Sequence, residues 1–178
     1  MIVREAKPRD LEALTFIDAS YTTDTVWQVE ERSQRDEISV TFRRLTLPRP
    51  LRAEPPRNTQ PSLRLRPREG YLLVAEEQGK MLGYIEVALQ AERDMGLIHS
   101  LVVAPNARRQ GVGTALLNAA AQLARRQDLS ALLLETQTKN YPAISFCQKN
   151  GFEFCGFNAR HYATNDIAIF FIRDLRYM

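Results

Sequence analysis

The chemistry in this sequence concentrates in one stretch, Leu101-Val102-Val103-Ala104-Pro105-Asn106-Ala107-Arg108-Arg109-Gln110-Gly111-Val112-Gly113-Thr114. It reads as the end of a strand, a short basic loop, and two glycines opening a helix. Glycines let the backbone approach a ligand closely. The first N–H groups of a helix have no intrahelical partner and carry partial positive charge. Arg108 and Arg109 add cationic charge at the same end. Together these are the parts of a phosphate or pyrophosphate cradle. The Gly-Lys-Ser/Thr ending of a nucleotide P-loop is missing, and so is the three-glycine dinucleotide fingerprint. Around this stretch stand groups able to move protons: His99 just before the loop, Glu86 on the preceding strand, and the thiol of Cys147. Near the start, Tyr21, Asp24 and Trp27 put an acid beside aromatics, a combination that suits a cationic amine.

The elements that must position these residues follow from periodicity. A short strand is expected at residues 1–4. A helix is expected from Pro8 to Ala19, with Leu11, Leu14 and Ile17 on one face. Tyr21–Trp27 reads as loop or short helix. Ile38, Val40 and Phe42 alternate with polar residues as a strand. Tyr71–Glu76 and Met81–Leu89, joined by Glu77-Gln78-Gly79-Lys80, form a hairpin signature. Strands are expected at Leu97–Val103, Ala131–Thr136, Phe152–Phe157 and Ile167–Arg173. Amphipathic helices are expected at Gly111–Gln127 and Pro142–Asn150, the second stopped by Gly151. Ile167–Ile172 is apolar on both faces, so a strand covered on both sides is expected there. This order predicts an α/β layer architecture with a mixed sheet.

The chain has 178 residues and 44% hydrophobic residues, which fits one domain, residues 1–178, with an ordinary core. Its net charge of +3 is uneven. Residues 43–68 hold eight arginines, one acid and six of the nine prolines, a net +7, so the remainder carries −4. This stretch reads as a basic Pro/Arg-rich insertion. It contains no aromatic on which a base could stack, so nucleic acid is not an expected partner. Two cysteines and two histidines supply neither a disulfide scaffold nor metal-ligand spacing, and no metal is expected. The longest apolar run is six residues, far short of a bilayer span. Met1–Glu5 shows no secretory pattern, so a cytoplasmic location without membrane association is expected.

Arg108-Arg109-Gln110-Gly111-Val112-Gly113 matches the Arg/Gln-x-x-Gly-x-Gly/Ala acyl-CoA loop of the GNAT N-acetyltransferases, which the chain resembles. A second block, Asn140, Ala143, Phe146 and Asn150-Gly151-Phe152, follows the same family's Asn-x-x-Ala-x-x-Phe-Tyr-x-x-x-Gly-Phe. The resemblance covers Tyr71 to about Arg173. The tail Phe157–Leu175, with Asp166-Ile167-Ala168-Ile169-Phe170, and Tyr21-Thr22-Thr23-Asp24 are similar to the streptothricin acetyltransferase branch.

The resemblance implies acetyl-CoA as co-substrate and an α/β fold with a mixed, mostly antiparallel central sheet flanked by helices, splayed between Leu97–Val103 and Ala131–Thr136. Backbone N–H groups from Arg109 to Thr114, through Gln110, Gly111, Val112 and Gly113, would hold the pyrophosphate, with Arg108 beside them. Leu101–Val103 would pair with the pantetheine arm, and an N–H near Val102 or Val103 would meet the thioester oxygen. Asn140 would bind the pantetheine or its surroundings, and Phe146 would pack beside it. Tyr21, Asp24 and Trp27 fall where the family builds its acceptor site. The implied reaction is N-acetylation of a primary amine, on a small molecule such as an aminated antibiotic or on a protein. A non-catalytic acyl-CoA-binding module is the alternative, and a homodimer through exposed sheet edges is open.

An alkylamine with a pKa of about 10.4 must lose a proton before it attacks. His99 and Glu86 are the candidate bases. Strand alternation allows only one of His99 and Ser100 to face the cleft. The family's usual proton donor to the leaving thiolate is a tyrosine after the motif phenylalanine. Cys147 stands there instead. Three readings are open: the thiol donates; Tyr141, Tyr162 or water replaces it; or Cys147 is simply a small buried helix residue.

Overall fold

The hairpin and the central strands are built as their alternation predicts. The structure is a computed structural model that describes residues 1–55 and 69–176. Chain order is β1 (Ile2–Glu5), α1 (Leu11–Thr15), β2 (Tyr21–Ser33), β3 (Ile38–Ala53), β4 (Gly70–Glu77) and β5 (Lys80–Gln90). Then follow β6 (Met95–Val103), α2 (Val112–Arg126), β7 (Ala131–Gln137), α3 (Tyr141–Lys149), β8 (Glu153–Asn158) and β9 (Ala168–Asp174). Seven strands form one sheet in the order β1-β4-β5-β6-β7-β9-β8, and β2 and β3 form a separate ribbon. Among the described residues β6 and β7 are the parallel pair; the other neighbours run antiparallel. This is the mixed, mostly antiparallel sheet flanked by helices that the element order and the family resemblance together predict.

α2 covers one face. Its Leu116, Leu117, Ala120 and Ala124 are buried against Leu73, Ile85, Val87, Ile98 and Leu132. α3 adds Ile144 and Cys147 to the same core. On the other face Leu14 of α1 packs with Val74, Tyr84 and Val102. Gly151 after α3 takes φ 75, the left-handed stop expected of it.

Four expectations need correction. The first helix is only Leu11–Thr15, preceded by a 3-10 turn at Pro8–Asp10. Only Leu14 of its apolar stripe is fully buried, so little packing rewards a longer helix. Tyr21–Trp27 is strand, not loop or helix: its Thr, Val and Trp residues suit a pleated ribbon, and its partner lies across a turn at Ile38–Ala53. The basic insertion is not irregular throughout, because residues 43–53 continue β3; its residues 56–68 lie outside the described ones. The β2–β3 register jumps where β3 carries Pro48 and Pro50, which have no N–H for the ladder. Finally, β9 is covered less fully than its composition suggested. Ala168, Ile169 and Phe171 are buried, whereas Phe170 and Ile172 are half-buried.

The ribbon is docked rather than free. The Trp27 backbone N–H donates to the Thr138 carbonyl at 2.9 Å. Phe42 meets Phe154 and Phe157 of β8 edge-on, with ring centroids 5.0 and 5.5 Å apart. Arg44 donates to the Tyr141 hydroxyl at 3.2 Å. These contacts hold Tyr21, at the start of β2, beside the end of β7.

Candidate active site

The site begins where the sheet comes apart. β6 and β7 pair only from Met95↔Ala131 to Ile98↔Leu134. Beyond that point β6 stays with β5 to Val103 and β7 stays with β9 to Gln137, so the two strands diverge. A bulge accompanies the divergence. Glu86 of β5 faces Ser100 while Val87 faces Ile98, which leaves His99 as the extra residue. Ile98 therefore packs on the α2 side, whereas Val102, four residues on, packs on the α1 side. An uninterrupted strand would have placed both on one face.

The fork opens into a cleft of about 500 Å³. One lip is β6, from Leu97 to Val103; the other is β7, with Leu134, Glu135 and Thr136. Both His99 and Ser100 line it, so the bulge overturns the expectation that only one of them can. Tyr21 closes one side, and Asn140 and Phe146 of α3 close another. Asn140 also caps α3, its Oδ1 accepting the Ala143 N–H at 3.2 Å.

The basic loop has the features of an anion cradle. α2 is preceded by Gly111, at φ 85, and no side chain among the described residues caps its first N–H groups. Arg109 is also left-handed, at φ 64. A Cβ on Gly113 would lie 3.2 Å from the Phe146 ring and 3.6 Å from Val103, filling the space beside the β6 lip. The unpaired edge of β6, the cradle and this gap together fit an acyl-CoA. Of the loop residues, Arg108 and Gly113 line the cleft itself; Arg109, Gln110, Gly111, Val112 and Thr114 do not. Gln110 turns back to donate to the Asn106 carbonyl.

Several expected site residues stand elsewhere. Glu86 is buried beneath the cleft and accepts the Ser100 hydroxyl at 3.2 Å; it does not line the cleft, because Ser100 lies between. Cys147 has no exposure and faces the α2 core, where burial pushes its thiol up to about 12. It does not line the cleft, so the small-buried-residue reading is the one its surroundings support. Asp24 is exposed and accepts from Thr25 next to it. Trp27 packs against the main core. Of the three early residues, Tyr21 alone lines the cleft.

In their place the structure brings Glu135, His161 and Tyr162 together. The Glu135 carboxylate, the first residue past the last β6–β7 pair, lies 3.0 Å from His161 Nε2 and 3.5 Å from the Tyr162 hydroxyl. Burial raises the Tyr162 hydroxyl above its ordinary value, and Glu135 adds to that. Beside this group the Tyr21 hydroxyl donates to Gln137 Oε1 at 3.3 Å, and Gln137 Nε2 donates to Asp166 at 2.7 Å. Lys139 and Thr164 donate to the same carboxylate at 2.8 and 2.7 Å. Burial alone would raise Asp166, but these donors outweigh it and hold the carboxyl below the usual range. One sequence signal could have found Glu135: it is polar and ends an apolar run at the carboxyl end of a parallel strand, where open α/β sheets bind ligands. His161 and Tyr162 come from the irregular segment between β8 and β9, which offers no such signal.

Among the described residues no helix is long and apolar enough to cross a membrane. Residues 30–152 match the profile of the Acetyltransferase (GNAT) family. A streptothricin acetyltransferase from Streptomyces lavendulae is 29% identical over 175 residues, spanning 89% of this chain and 85% of its own length. The peptidyl-lysine N-acetyltransferase YiaC of Escherichia coli is 36% identical over a shorter stretch, 48% of this chain and 55% of its own. The crystal structure of a nourseothricin acetyltransferase superposes with a TM-score of 0.82 at 26% identity, over 98% of both chains. A proposed streptothricin acetyltransferase from Bacillus anthracis, solved with acetyl coenzyme A, shares the fold, with a TM-score of 0.79 at 22% identity over 97% of both chains. With more than half its length matched, the chain belongs to the GNAT acetyltransferase family and is an acetyltransferase whose acetyl donor is acetyl-CoA.

Proposed function

We propose that the protein acetylates a primary amine of a small molecule, an aminated antibiotic of the streptothricin type. The observation that carries this reading is the likeness to a streptothricin acetyltransferase along 89% of the chain, through the β2–β3 ribbon that places Tyr21 in the cleft. Likeness to the peptidyl-lysine enzyme stops at about half the chain.

In this reading the cradle at Arg109–Thr114 holds the pyrophosphate through backbone N–H groups, and the open edge of β6 pairs with the pantetheine arm. The acetyl thioester then lies in the fork. There a backbone N–H of Val102 or Val103 faces the carbonyl oxygen, and a preorganised donor of this kind stabilises the negative charge that develops on it. The amine approaches past Tyr21 and meets the Glu135 carboxylate, which attracts its ammonium form. Of the two protons that the nitrogen sheds, one leaves by way of Glu135 and His161 and the other reaches the sulphur. Tyr162, kept protonated by burial, is the donor at that step, the part Cys147 is placed too deep to play.

Calorimetry with acetyl-CoA, followed by thiol-release assays against amines including streptothricin, tests the reading. Binding with turnover of streptothricin is the expected result. Binding with no turnover of any amine would favour a non-catalytic acyl-CoA-binding module, and no binding would overturn the cradle.

A further inference from the structure

Arg108 is bound differently from its neighbours in the loop. Its Nε donates to the Val103 carbonyl at 2.9 Å, and its Nη2 donates to the Asp18 carbonyl at 2.8 Å. Val103 is the last residue of the β6 lip. Asp18 lies between α1 and β2, immediately before the cleft residues Ala19 and Tyr21. A single guanidinium thus spans the end of the cofactor lip and the turn that launches the acceptor wall.

That turn is gripped from its other side as well. Asp18 Oδ1 accepts the Ser20 N–H at 2.8 Å. Arg52 of β3 donates to the Ser20 hydroxyl at 3.3 Å and lies 3.8 Å from the Asp18 carboxylate. The hydrogen bonds from Ser20, aided by Arg52 and Arg108, hold the Asp18 carboxyl below its usual range. A planar fork with divergent donors can reach two carbonyls on different segments at once, and an ammonium on a flexible stem does this poorly.

Resting on the amine-acceptor reading above, we propose that Arg108 is a positioning residue, bracing the Asp18–Tyr21 turn against the end of β6 and so setting the acceptor wall, and not a pyrophosphate ligand. Both hydrogen bonds go to backbone oxygens, so on this side of the turn the brace depends on the guanidinium. The phosphate-holding work is left to the backbone N–H groups of the cradle.

The test compares wild type, R108Q and R108K by amide hydrogen exchange, acetyl-CoA calorimetry and steady-state kinetics with streptothricin. A brace predicts at least tenfold faster exchange at residues 18–21 in R108Q, with exchange over 112–120 unchanged. It predicts an acetyl-CoA Kd within threefold of wild type and an amine KM raised at least fivefold. R108K should share these defects despite its retained charge, and it serves alone if R108Q does not fold. The inference is overturned if exchange at 18–21 is unaltered. It is equally overturned if R108Q weakens acetyl-CoA tenfold and R108K restores it, the signature of a phosphate ligand. A wild type that acetylates no amine sinks the functional reading, while the exchange comparison still decides the brace.

Discussion

The two lips of the fork are made of different material. The β6 lip is mostly apolar, from Leu101 to Val103, and its chemistry is a free backbone edge continued by the glycine loop. The β7 lip is chemistry made of side chains: Glu135 with His161 and Tyr162, then Gln137 with Tyr21 and Asp166. The first lip comes from one stretch of chain. The second draws on β2, β7 and the segment before β9. A backbone site tolerates side-chain change except where a Cβ intrudes or φ is positive, whereas a side-chain site fails when a single polar atom is removed.

The largest expected effect lies on the β7 lip. Tyr162→Phe should lower kcat by about 10²-fold, the lower end of what general acid–base groups contribute, while the acetyl-CoA Kd from calorimetry stays unchanged. An equal loss of acetyl-CoA binding would mean that the two lips are not separable. On the β6 lip, Gly113→Val should raise the acetyl-CoA Kd about tenfold, ~1.4 kcal/mol, because the added carbons must displace Phe146 or Val103. Little change in that Kd would show that the pantetheine runs elsewhere.

Within the core that α2 covers, Cys147→Ala should leave kcat unchanged and cost about 1 kcal/mol of stability, since it only removes buried atoms there. The denaturation midpoint reads the cost, and a fall in kcat with the fold intact would return the thiol to the mechanism. The smallest effect concerns pH. Asp166 is lowered in the folded protein, so its contribution is fully present above the ordinary carboxylate pKa and is lost as pH falls through the lowered value. Tm measured from pH 6 to pH 3 should therefore fall less steeply for Asp166→Asn than for wild type. Parallel curves would show that the Gln137–Lys139–Thr164 donors do not favour the charged form.

Local pattern made the cofactor side legible because its parts are contiguous. Strand, glycines and helix lie within residues 95–126, and each has a short-range signature. Glu86 and Cys147 lie in the elements the sequence predicts; burial of Cys147 is one of the readings its residue type offers, whereas the depth of Glu86 has no local signal, since Ser100 covers it. Asp24 and Trp27 misled for a related reason. A window of polar and aromatic residues does not reveal that its partner is a strand at Ile38–Ala53, and only that pairing turns Tyr21 inward while leaving Asp24 exposed.

What the sequence determined by itself was the helix and strand periods and a basic, glycine-opened helix start, because these follow from chain-local sterics and from N–H groups that lack partners, while its two motif blocks carried the family resemblance. Only the tertiary structure decided which polar groups share the cleft. The bulge at His99 changes the face of β6. The parting of β6 from β7 exposes Glu135. The long return of the chain between β8 and β9 then delivers His161 and Tyr162 to it. Each of these is a relation between residues distant in sequence, set by sheet register and packing, on which no local window bears.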